Sequence, residues 1–171
     1  MIRKFILTEG KWHEDILWKF FISLKVPKLE TCSAVFCIPI YHDEVVLVRH
    51  PTRGWGFPGG HIEHGETLVD AASRELFEET RLTIQNPKFF GYKKIIHIKP
   101  IKHRDYSYFY PFPFSYIPYC LTRLQEPLNK IIGKNSEIEL VSFAKALLQL
   151  AGPEKNDIIL KYLIESKILF D

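Results

Sequence analysis

The sequence is poor in cysteine. Only Cys32, Cys37 and Cys120 occur among 171 residues. Three thiols cannot all pair, and their spacing fits neither a disulfide framework nor a zinc site. They read as buried thiols in a reducing compartment. Long apolar runs are also missing. Nothing approaches the roughly 18 apolar residues of a membrane span. The apolar start at Met1 turns polar at Thr8, too soon for a signal peptide. The expectation is a soluble, cytoplasmic protein with no membrane partner. Charge of one sign is not in excess. Lys and Arg number 23 against 20 Asp and Glu, a net +3, too mild to argue for duplex nucleic acid. Repeats and low-complexity tracts are absent from the sequence. What is left is 46% hydrophobic and 25% charged. That suits one folded domain over 1–171, with enough chain to bury a core unaided.

Apolar spacing sets out the elements. Trp12, Ile16, Phe20 and Leu24 recur at i+4. They predict an amphipathic helix, stopped near Pro27, within an N-terminal extension over 1–30. Residues 31–40 are β-rich, a polar turn follows at 41–44, and 45–48 is apolar again, the pattern of a buried hairpin. Gly54, Gly56, Gly59 and Gly60 make a loop with unusual backbone freedom. A helix from Thr67 to Thr80 has Thr67 as N-cap and Asp70 three residues on. Strands are expected at 82–85, 88–98, 106–119 and 137–141. Helices should run from Phe143 to Ala151 and along 158–169. Interleaved strands and helices make the class α/β or α+β, with helices on a mixed sheet.

The chemistry concentrates in residues 60–82. On the helix, Arg74, Glu75, Glu78 and Glu79 fall on one side. Carboxylates this close repel by a few tenths of a kcal/mol per pair on an exposed helix, and Arg74 offsets only part of that. A hard divalent cation offsets it better, because Mg²⁺ takes one or two carboxylates and bridges to substrate phosphates. Val69, Ala72 and Leu76 on the other side can pack on the sheet.

These residues resemble the signature of the Nudix (MutT-like) hydrolase family. That signature is G, five residues, E, seven residues, then R-E-U-x-E-E-x-G-U, with U a bulky aliphatic. Gly60, Glu66, Arg74, Glu75, Leu76, Glu78, Glu79 and Leu82 match it in register, after a familiar lead-in at 55–59. Arg81 stands where the family has Gly. A glycine there suits a left-handed helix end, and arginine in that conformation costs roughly 1–2 kcal/mol. An altered loop is therefore expected at this point, with every acid kept.

The resemblance implies a Nudix-type α/β/α sandwich, with the box helix on one side of a mixed sheet and C-terminal helices. It implies hydrolysis of a pyrophosphate bond in a nucleoside diphosphate linked to another group: a nucleoside triphosphate, a dinucleotide or a nucleotide sugar. The alternative is a non-catalytic domain that binds or senses a nucleotide. By similarity, Glu75, Glu78 and Glu79 hold Mg²⁺, or Mn²⁺ in its place, with a carbonyl of Gly59 or Gly60. Arg74 holds a carboxylate, and Glu66 orients loop and helix.

The box does not name the substrate. Arg49 and Arg53 flank the loop entering it and are candidates for phosphate contact. Tyr106, Tyr108, Tyr110, Phe112, Phe114 and Tyr116 alternate, so a strand puts all six on one face. They read first as core or as the interface of a homodimer. The second reading is a base-stacking surface with Tyr110 and Phe112 in contact with substrate. Lys93, Lys94, Lys99, Lys102, His103 and Arg104 read as a solvated hairpin tip before a phosphate site. Glu126, Glu137 and Glu139 are reserve candidates for a further metal ligand or base.

Overall fold

A nine-stranded mixed sheet carries the site. The computed structural model describes residues 4–100, 110–125 and 137–166. The strands are β1 (Phe5–His13), β2 (Ile16–Ile22), β3 (Ala34–Tyr41), β4 (Glu44–His50), β5 (Gly54–Gly56), β6 (Gly59–His61), β7 (Lys88–His97), β8 (Phe114–Arg123) and β9 (Glu137–Ser142). The helices are α1 (Leu68–Thr80), α2 (Phe143–Gln149) and α3 (Asn156–Glu165). The strand order is β1-β2-β7-β8-β3-β4-β5, with β6 also on β3 and β9 also on β4. The β3–β8 pair is parallel and the other named pairs are antiparallel.

The run of apolar residues in β3 follows from burial on both faces. Ala34, Ile38 and Ile40 face the larger core, with Trp18, Phe20 and Leu47 and the α2–α3 residues Ala146, Ile159 and Leu163. Val35 and Cys37 face the other way, onto Ala71, Ala72 and Leu76 of α1. This is the expected layering, with helices on both faces of a mixed sheet. Cys32, Cys37 and Cys120 are free and buried, as the sequence suggested. Among the described residues, no helix is long and apolar enough to cross a membrane.

The expected N-terminal helix is instead a β-hairpin. Trp18, Phe20 and Ile22 alternate into the core at 0%, 0% and 1% exposure. The i+4 spacing of Ile16 and Phe20 is also compatible with a period of two, and the β-favouring residues of 16–22 all pair with residues 91–97 of β7. Residues 82–85 form no strand. The described part of the 106–119 segment becomes a strand only from Phe114, and that strand runs on to Arg123. Phe112 and Phe114 are 53% and 40% exposed, so the core reading of the aromatic run fails for them. The side facing the core carries Ile117, Tyr119 and Leu121. Tyr106, Tyr108, Lys102, His103, Arg104 and Glu126 lie outside the described residues.

Candidate active site

The box helix is fixed at both ends. Thr67 accepts from the Asp70 N–H, and the Asp70 carboxylate accepts from the Thr67 N–H, a complete capping box. At the other end Arg81 keeps the left-handed conformation, φ 63° and ψ 13°. The altered loop expected at Arg81 is therefore absent, because the Arg81 N–H still closes on the Phe77 carbonyl at 2.9 Å. Its guanidinium lies over the Phe77 ring, 5.3 Å from the centroid.

Two glycines let the loop backbone meet the helix acids. A Cβ on Gly59 would lie 2.3 Å from the Val35 carbonyl oxygen, and its φ of 152° disfavours a side chain as well. A Cβ on Gly60 would lie 2.4 Å from Glu75 Oε1. The Gly59 N–H donates to Glu79 Oε2 at 2.9 Å. The acids of α1 are thus seated against β6, which is itself paired with β3.

Arg74 joins helix and loop. Its Nε and Nη2 donate to the two oxygens of Glu66 at 2.7 and 3.0 Å, a bidentate fork. Nη2 also reaches the His61 carbonyl at 2.8 Å, and Nη1 donates to Glu75 Oε1 at 2.9 Å. Glu66 in turn accepts from the Glu63 N–H at 2.8 Å. Hydrogen bonding from Arg74 holds the Glu66 carboxyl below the ordinary glutamate value. Burial drives Glu75 the other way, upward, against the pull of Arg74. Burial raises Glu79 to about 7, and the Gly59 N–H only partly opposes it. Glu78 is 57% exposed, with an oxygen 3.6 Å from Arg74 Nη1.

These donors are all hard oxygens, which fit Mg²⁺ or Mn²⁺ in kind. Among the described residues, no three acidic, histidine or cysteine side chains converge on one point. Mg²⁺ does not require that, since one or two carboxylates with substrate phosphates suffice. Glu75 and Glu79, beside the Gly59–Gly60 backbone, meet that requirement.

A cavity of about 250 Å³ opens beside the acids. Arg53, Gly59, Gly60, Glu79 and Tyr110 line it. Tyr110 is hydrogen-bonded to His61. Arg49 is exposed on β4 and Phe112 is exposed beyond the cavity, so neither joins the lining. Glu139 is bound to Lys145 and Gln149 away from the box.

Sequence reasoning missed Lys93, Glu154 and Asn156 of the lining. Lys93, assigned to a solvated hairpin tip, is 1% exposed inside the sheet. Its Nζ lies 2.6 Å from Glu154 Oε2. Asn156 begins α3 at the same cavity. Only the inward alternation of β7 hinted at Lys93, and nothing local marked Glu154 or Asn156.

The family model described as NUDIX domain matches residues 30–162. The Nudix hydrolase YvcI of Bacillus subtilis is 43% identical over 56 residues, 32% of this chain and 35% of that protein. Phosphatase NudJ of Escherichia coli K12 is 40% identical over 58 residues, 32% of this chain and 38% of that protein. The match thus spans little more than a third of the length of these curated relatives. The NUDIX domain of Shewanella oneidensis NrtR, solved with ADP ribose, shares the fold at a TM-score of 0.56 and 18% identity, over 80% of this chain and 88% of that one. With Glu75 and Glu79 of the signature seated against Gly59 and Gly60 and the family model matched over residues 30–162, more than half of the chain, the chain belongs to the Nudix family.

Proposed function

We propose that the protein hydrolyses a pyrophosphate bond in a nucleoside diphosphate linked to a second group, with Mg²⁺ or Mn²⁺ as cofactor. The observation that carries this is the seating of Glu75 and Glu79 against the Gly59–Gly60 backbone, both with raised proton affinity. Buried acids with perturbed proton affinity beside a cavity mark a functional site. In this reading Glu75, Glu78, Glu79 and a carbonyl of Gly59 or Gly60 hold the cation. The cation neutralises phosphate charge and acidifies a water when bound. Arg74 fixes the directions of Glu66 and Glu75, and Arg53 faces the phosphates from the cavity wall. Tyr110 contacts the substrate at the mouth, positioned through His61. Arg49 is kept as an outer phosphate contact, and Phe112 as an exposed stacking surface.

Arg81, the one departure from the family signature, is the feature that would favour a non-catalytic nucleotide sensor. That residue preserves the helix end and displaces no acid, so hydrolysis is favoured. The test is product release from a nucleoside triphosphate, a dinucleotide and a nucleotide sugar, with and without Mg²⁺. Turnover is expected only with the metal, and Glu79→Gln should lower it at least ~100-fold. Ligand binding without any turnover would support the sensing alternative.

A further inference from the structure

The outer face of β2, β7 and β8 takes no part in the hydrolytic reading. Trp18, Phe20 and Ile22 turn into the core, so Leu17, Lys19 and Phe21 point the other way. Strand register sets Phe21 beside Tyr92, Lys19 beside Lys94 and Leu17 beside Ile96. On β8, Tyr116 is opposite Lys94 and Phe114 is opposite Ile96. Residues directly opposite in neighbouring strands share a face, and the rings touch accordingly. Phe21 stacks on Tyr92 at 5.4 Å, and Tyr116 meets Tyr92 edge-on at 5.6 Å. None of these outward residues belongs to either buried cluster, and α1 packs on Cys37 and Cys120 instead.

Positive charge is concentrated among these rings. Lys19 and Lys94 are directly opposite, an arrangement of like charges that costs stability. Lys4 joins them, its Nζ 4.5 Å from the Phe21 centroid and 5.3 Å from that of Tyr92. Lys94 Nζ lies 3.6 Å over the Phe114 ring. Partial burial, with the charges of Lys4 and Lys19, pushes the Lys94 ammonium below the usual lysine value. The acids at hand are Glu9, 2.9 Å from Lys19, and Glu30, 3.9 Å from Lys28. Among the described residues neither Lys4 nor Lys94 has a carboxylate partner. A cavity of about 420 Å³ opens at one end of the face, lined by Lys4, Ser23, Lys25, Lys28, Tyr92 and Tyr116. That volume lies within the roughly 300–1,000 Å³ of ligand sites.

We propose that this face binds single-stranded nucleic acid, with phosphates on Lys4, Lys19 and Lys94 and bases against Tyr116 and Phe114. The argument is one of complementarity. Lysines unmatched by acid call for a polyanion. Aromatic rings set between them call for flat apolar groups that alternate with its charges. Each nucleotide of a single strand carries both. A duplex keeps its bases stacked inside, and an anionic lipid surface has charge without a ring to stack. When Lys94 turns to a phosphate, the Phe114 ring beneath it is freed for a base. Every base has a ring face, so the binding is tolerant of sequence.

The test is fluorescence anisotropy of labelled single strands of about 12 nucleotides, with the full chain in chelator. A strand ending in a 5′-hydroxyl contains no anhydride, so binding is read apart from hydrolysis. A Kd below about 100 µM is expected at about 50 mM salt. A duplex of equal length should bind at least ~10-fold more weakly. Affinity should fall with salt at a log–log slope of about −2, or about −0.7 for each of three phosphates. Lys94→Gln should reduce that slope by about 0.7 and leave metal-dependent hydrolysis at the parent rate. Lys4→Gln, at an exposed position near the start of the chain, is the second variant and should reduce the slope equally. Phe114→Ala should weaken binding at least ~5-fold. No binding, equal binding of the duplex, an unchanged slope in the folded lysine variants, or full affinity in Phe114→Ala overturns the inference. So does binding to anionic vesicles without binding to the strands, which would mark a membrane surface.

Discussion

Glu79 illustrates how position changes the chemistry of a residue. On an isolated helix its carboxyl would titrate near the ordinary 4.5, whereas burial raises it to about 7. The folded chain therefore keeps a proton that the unfolded chain has released. Stability falls as pH climbs from about 4.5 to about 7, and the penalty is complete above that. In chelator near pH 8, Glu79→Gln should be more stable than the parent by about 1–3 kcal/mol, with no difference near pH 4. Urea unfolding at the two pH values measures it. A variant no more stable than the parent near pH 8 would contradict the burial argument. Glu66 shows the reverse sign, since Arg74 favours its charged form. Both residues are glutamates of one motif, and the sequence gives no way to tell which is buried and which is forked.

At the scale of the element, the bounds of α1 were legible in the sequence. Its cap and its acids follow from spacing within 67–81, because helix geometry is local, and Ala72 and Leu76 pack on the sheet as expected, whereas Val69 is 40% exposed and Ala71 is buried in its place. Arg81 was the exception: the chain accepts an unfavourable arginine conformation and leaves the turn unchanged. Arg81→Gly should then relieve strain by about 0.5–1 kcal/mol net, after the extra unfolded-state entropy of glycine. A rise in Tm of roughly 1–4 °C is the expected readout, with hydrolysis unaffected. A lower Tm would mean that the contact with Phe77 outweighs the strain. The N-terminal hairpin was the larger misreading. Its residues satisfy a helical and an extended pattern together, and the free edge of β7 decides between them.

For the whole molecule, that hairpin is part of the core. The Gly10 backbone lies so close on Trp18 that a Cβ there would fall 2.5 Å from the indole. Trp18 belongs to the same buried cluster as Ile38, Leu47 and Ile159. Trp18→Ala should therefore cost about 3–5 kcal/mol and lower one cooperative transition for the entire chain. A separate, early transition confined to 1–30 would instead mark an extension independent of the core.

The box is legible without any structure: Gly60, Glu66, Arg74 and the three helix glutamates lie within one contiguous stretch, so their mutual placement follows largely from local backbone geometry. The layering is legible too, because β3 is apolar on both faces and needs cover on each. How the acids are buried, and which residues share the cavity with them, depends on contacts between distant parts of the chain. Lys93 and Glu154 stand 61 residues apart, and their pairing depends on sheet order and on where α3 begins. Local spacing carries no information about either, since both are settled when the two faces of the sheet close.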